Sequence, residues 1–156
     1  AGFFPTVPRR YAILLRVLTA LFAFRIAGQF VAAVIDVAFL PQFKDWYSGL
    51  IPYALLLPVQ ILLLGLMLAI VRDIARARGF FATLARSTGH FLMRLSYLYA
   101  TVMAVRYTLT MTLNPELRWF TGTTPIWFHF VLASFLFTLG HFHTTCPEGP
   151  ARGLVP

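Results

Sequence analysis

Acidic side chains are the scarcest chemistry in this chain. Of 156 residues only five are acidic: Asp36, Asp45, Asp73, Glu116 and Glu148. No pair of them has the arrangement that glycoside hydrolysis needs. None falls at the middle of an apolar segment, which argues against a proton-coupled transporter. The lone cysteine, Cys146, excludes a disulfide framework and any Cys-rich zinc or iron–sulfur module. No Gly-rich phosphate loop and no HExxH motif occur. Lysine is almost missing too, since Lys44 is the one lysine among 13 basic residues. Charged residues make up 12% of the chain, about half the share usual for a soluble domain. That excludes a water-soluble fold, and disorder requires the opposite composition.

What the chain has is apolar length. Hydrophobic residues make up 59% and the mean hydropathy is +0.76. A membrane-spanning helix needs about 20 mostly apolar residues, and four segments qualify. They run from about Tyr11 to Leu40, from Ile51 to Val71, from Gly89 to Leu113 and from Pro125 to about Thr145. The sequence predicts an all-α integral membrane protein, a four-transmembrane-helix bundle in one domain over 1–148. Residues 149–156 read as a tail, because Gly153–Pro156 resembles the front of a protease-site tag.

The net charge is +8. In a soluble protein this would suggest nucleic acid, but here the arginines gather at the ends of apolar segments, so no nucleic-acid partner is expected. Arg9 and Arg10 precede the first segment, and Arg72, Arg76, Arg78 and Arg86 lie between the second and third. The other two connections carry one basic residue each, Lys44 and Arg118. The positive-inside rule then predicts both termini and the 72–87 loop in the cytoplasm, in a bacterial inner membrane. The outer connections are aromatic, with Phe39, Phe43, Trp46 and Tyr47 in one and Trp119 and Phe120 in the other. Such residues form an interfacial belt.

Polar residues inside apolar segments are the candidate binding groups. Arg25 lies 14 residues beyond Tyr11, about 21 Å along a helix, which predicts a mid-depth position. Gln29 follows one turn later on the same face. Counting inward along the other segments puts Gln60, Tyr97, Thr101 and Ser134 near that level. The sequence therefore predicts a buried polar layer of Arg25, Gln29, Gln60, Tyr97, Thr101 and Ser134. It would hold a ligand, a lipid or a partner helix. Pro58 should kink the second helix or loosen its carbonyl ladder.

The histidines give a second reading. His90, His141 and His143 fall toward one end of the third and fourth segments. Two imidazoles facing each other, His90 with His141 or His143, have the chemistry of axial ligands to a haem b. Arg94 and Arg86 would then pair with its propionates. A metal bound by His141, His143 and Cys146 matches no strong spacing, and no metal site is expected.

The stretch Trp127-Phe128-His129, Leu132-Ala133 and Gly140-His141-Phe142-His143 resembles the last helix of the small four-span protoporphyrinogen oxidases. That resemblance implies a haem-binding bundle. It covers about twenty residues. Phe130-Val131 stands where that family has a small residue and a lysine, and the first segment lacks the family's early histidine. No catalytic residue is carried over.

The leading expectation is a non-enzymatic membrane subunit or binding scaffold centred on Arg25, in contact with lipid and with other subunits or copies of itself. The first alternative is a haem b electron-transfer protein, a membrane oxidoreductase if an enzyme at all. The second is a small oligomeric channel or transporter.

Overall fold

A computed structural model describes residues 9–34, 53–113 and 124–146. The described residues form four α-helices and one short 3-10 turn, with no strand among them. These are α1 (Arg9–Val34), α2 (Tyr53–Arg76), the 3-10 turn (Phe80–Ala82), α3 (Arg86–Leu113) and α4 (Thr124–Thr145). Three stretches, Arg9–Val34, Ala54–Arg76 and Ile126–Thr145, are long and apolar enough to cross a membrane. The expected third span is a single helix of 28 residues. Its arginines, His90 and threonines keep it out of that group. The remainder of the first span to Leu40, the start of the second at Ile51, both aromatic connections and the 149–156 tail lie outside the described residues.

Helix α4 lies between α1 and α3, and α2 packs on α1. The partners run antiparallel. Tyr11 near the start of α1 bonds His141 near the end of α4, while Arg25 further along α1 lies over Phe128 near the start of α4. Along α3, Gly89 meets Gly140 and Tyr107 meets Trp127. The first residues of α1, the α2–α3 connection and the last residues of α4 therefore share one end. That end carries Arg9, Arg10, Arg72, Arg76, Arg78 and Arg86.

An apolar core runs from the basic end up to the level of Arg25. Tyr11, Leu15, Leu18, Phe22 and Ile26 of α1 recur at helical spacing on one face. They meet Met67, Ile70 and Ile74 of α2 and Phe135, Leu139 and Phe142 of α4. Between apolar helices in lipid, such contacts rest on close packing rather than on escape from water. The outer faces are hydrocarbon as well, with Phe24 71% and Leu62 75% exposed.

Helix α2 continues through Pro58, which has no N–H to donate to the carbonyl one turn back. It stops in a tight cap. Ala77 N–H donates to the Ile74 carbonyl at 3.2 Å and Arg78 N–H to the Asp73 carbonyl at 3.1 Å. Together these are the two bonds of a Schellman motif. The motif needs a left-handed residue, here Ala77 at φ 50° rather than the usual glycine. Gly79 follows at φ 100°. The Asp73 side chain accepts from the Phe81 N–H at 3.4 Å and from the Arg72 guanidinium at 3.3 Å. So the one acid at the basic end folds the turn back onto its own helix.

A candidate anion site around Arg25

Arg25 points inward from α1 and is 7% exposed. Gln29, one turn further, is completely buried. Gln60 of α2 reaches the same place and donates from Nε2 to Gln29 Oε1 at 3.2 Å. On the α4 side the guanidinium lies over the Phe128 ring, 5.2 Å from its centre. Tyr99 of α3 and His129 of α4 complete the cluster. The Tyr99 hydroxyl is hydrogen-bonded to His129 Nδ1, and the rings meet edge to face at 5.7 Å. Both lie within electrostatic range of Arg25 and of Arg106, seven residues along α3 from Tyr99.

Two polar atoms in this cluster are buried without a hydrogen-bond partner, Arg25 Nε and Gln60 Oε1. One is a charged donor and the other a neutral acceptor. Leaving such a group unsatisfied costs about 1–3 kcal/mol, more when it is charged. Asp73 is the only acid among the described residues, and it lies in the turn at the opposite end of the bundle. The cluster thus concentrates positive charge with no carboxylate among the described residues to balance it.

The helices bring together Arg25, Gln29 and Gln60 of the expected polar layer. Tyr97, Thr101 and Ser134 lie elsewhere. Tyr97 is 60% exposed and meets the Phe137 ring at 5.7 Å. Tyr97 and Ser134 line a groove of about 470 Å³ between α1 and α3, with Leu14, Leu18 and Ala100. Thr101 is on the exposed side of α3. Counting residues fixes a side chain's level but not its rotation about the helix, and rotation decides these three. Along α4 the cluster sits about 6–8 Å from Thr124, at 1.5 Å per residue, and along α3 it sits at Tyr99, half-way through the helix.

Tyr99 and His129 belong to the cluster, and the sequence pattern alone singles out neither as a binding group. The usable signal was depth, since tyrosine and histidine at one level on adjacent helices form a complementary donor and acceptor.

The other histidines have separate surroundings. His141 Nδ1 is bonded to the Tyr11 hydroxyl at 2.7 Å, and its ring stacks on Phe137. His143 is 5% exposed with Nε2 unpartnered, and its ring meets Phe142 edge-on. Gly89 faces α4 beside the His143 Cβ. His90 is the next residue, rotated by about 100°, and is exposed, as is Arg94. His90 therefore leaves α3 in a different direction from the α4 contact. Among the described residues no three His, Cys, Asp or Glu side chains gather to hold a metal.

Comparison with protein families, curated proteins and solved structures found no match.

Proposed function

We propose that the chain is a four-span integral membrane protein that acts as a non-enzymatic binding scaffold, a subunit of a larger membrane assembly, through the Arg25 cluster. The observation that carries this reading is a buried guanidinium whose Nε has no partner, with no carboxylate near it among the described residues. A charge in that state is retained where something outside the chain completes it. Helix α3 runs beside α4 from Gly89 to Tyr107, which supports its crossing the membrane with α4 despite its lower apolarity. Six arginines at one end support a cytoplasmic placement of that end.

Native mass spectrometry of the detergent-extracted protein tests the binding role. The expected result is a retained small molecule or partner subunit that is lost in Arg25→Ala while helical content is kept. Identical spectra for both proteins would end this reading. Orientation is tested with Cys146, the lone cysteine. An impermeant maleimide should label it in inverted vesicles and spare it in right-side-out ones.

A further inference from the structure

Helix α4 carries a slot on the side away from the α1–α3 groove. The slot lies between α2 and α3 and holds about 320 Å³, with walls that include Leu63, Met67, Ile70, Leu95, Phe135 and Leu136. Those walls are hydrocarbon. The polar exception is Tyr99, whose hydroxyl meets His129 beside Arg25 and Arg106. Helix α2 joins the two features. Gln60, Leu63, Met67 and Ile70 recur at three- and four-residue steps, so they share one face. From Gln60 that wall extends about 15 Å toward the basic end, at 1.5 Å per residue. Among the described residues no Cα of α2 lies within 8 Å of one of α3, so the slot opens sideways between them, with Leu66 45% exposed at its edge.

We infer that this slot holds one acyl chain of a lipid whose oxyanion head sits on Arg25; the inference rests on the Arg25 cluster being a binding site. The head is anionic because the buried Arg25 guanidinium has an unpartnered Nε, Arg106 lies within electrostatic range of the same cluster, and no carboxylate among the described residues balances them. A zwitterionic head would bring its own cation to the same place. The tail is a single flexible chain because the slot is narrow, apolar and at the small end of ligand pockets. Along α2 the head, at Gln60, lies on the side of the slot away from the six arginines, and the tail runs toward them. Carboxylate and phosphate heads share this chemistry, and the test separates them.

The protein, held in an uncharged maltoside detergent, is titrated with dioleoyl phosphatidylglycerol, dioleoyl phosphatidylcholine and oleate, and bound species are counted by native mass spectrometry. The expected result is at least tenfold tighter binding of phosphatidylglycerol or oleate than of phosphatidylcholine. Preference for phosphatidylglycerol assigns a phosphate head, and preference for oleate a free carboxylate. Arg25→Gln should abolish the preference. Met67→Trp, which fills the slot and leaves Arg25 in place, should weaken binding at least tenfold. Equal binding of all three amphiphiles overturns the inference. Wild-type binding by Met67→Trp overturns the slot, and if Arg25→Gln still abolishes binding the Arg25 site stands. Wild-type binding by Arg25→Gln removes both. Should a variant fail to fold, a lipid with a photoreactive acyl chain decides on the unaltered protein. Cross-links to residues 63–70 and 132–136 support the slot, and cross-links confined to other surfaces refute it.

Discussion

Gly89 of α3 and Gly140 of α4 meet backbone to backbone. A Cβ on Gly140 would lie 2.7 Å from the Gly89 carbonyl oxygen, and a Cβ on Gly89 would lie 2.9 Å from the Gly140 oxygen. The pair belongs to a repeat. Gly89 and Ser96 are seven apart on α3, Ala133 and Gly140 are seven apart on α4, and all four are buried. In a membrane, small residues at helical spacing let two backbones approach and gain van der Waals contact along their length.

Gly140→Ala should therefore destabilise the bundle by about 1–3 kcal/mol, the usual cost of overpacking. Gly65 is the internal control, since nothing lies within 4 Å of a Cβ placed there. Gly65→Ala should be neutral or gain up to ~1 kcal/mol from helix propensity. Thermal unfolding in detergent, followed by size-exclusion chromatography, measures both. Equal melting temperatures would show that the close approach contributes nothing.

Ala77 occupies a left-handed position that costs an L-residue about 1–2 kcal/mol. Ala77→Gly should raise stability by a few tenths to about 1 kcal/mol, because glycine's greater freedom when unfolded takes back part of the gain. Gly79→Ala should act oppositely. It strains the backbone at φ 100° and drives a Cβ into the Asp73 carboxylate. Opposite shifts in the same unfolding assay are the outcome expected.

Tyr11 ties α1 to α4 through His141 at 2.7 Å and Thr145 at 3.1 Å. Tyr11→Phe keeps the ring and removes the hydroxyl, so it should cost about 1 kcal/mol. A cycle with His141→Phe isolates the Tyr–His share. Additive losses would show that the hydroxyl and the imidazole act independently.

Arg25→Met should make the ligand-free protein more stable, not less. Replacing a buried charge with a hydrocarbon of similar length removes a desolvation cost that no carboxylate among the described residues offsets. The same change should abolish ligand retention. A stable protein that binds nothing identifies Arg25 as a functional group. An unstable one would make it a structural lock.

Cys146 follows the last residue of α4 and is partly buried. Burial pushes its thiol pKa up, opposed by the Thr145 hydrogen bond and the charge of Arg10. Near pH 8 the folded protein thus holds less thiolate than the unfolded chain, and thiolate is the reactive form. Maleimide labelling should be slower in the folded protein, and its rate should keep rising at pH values where an ordinary thiol has levelled off. A rate curve matching that of the denatured protein would contradict the shift.

Segments of unbroken apolarity were legible in the sequence because length and composition decide them, and α2 and α4 are the plain examples. Arg25 was legible as well, since any charge inside an apolar run stands out. Gln29 and Gln60 followed from its face and level. Tyr97, Thr101 and Ser134 did not join them, because helix rotation is set by which neighbour each face meets. The seven-residue repeat of Gly89 and Ser96 was missed for a related reason. Small side chains carry no chemical signature until the facing helix is known.

The place of α4 between α1 and α3 has a consequence for how the protein is made. A ribosome delivers α1 and α2 first, and these can pair at once. Helix α3 then emerges with Arg94 and Arg106 exposed and its glycine face uncovered, and its described neighbour is the helix synthesised next. At about 5–20 residues per second that interval is about 2–6 seconds. During it the least apolar helix lacks the neighbour it packs on. A chain interrupted before residue 124 would leave the glycine face of α3 without the helix it packs on.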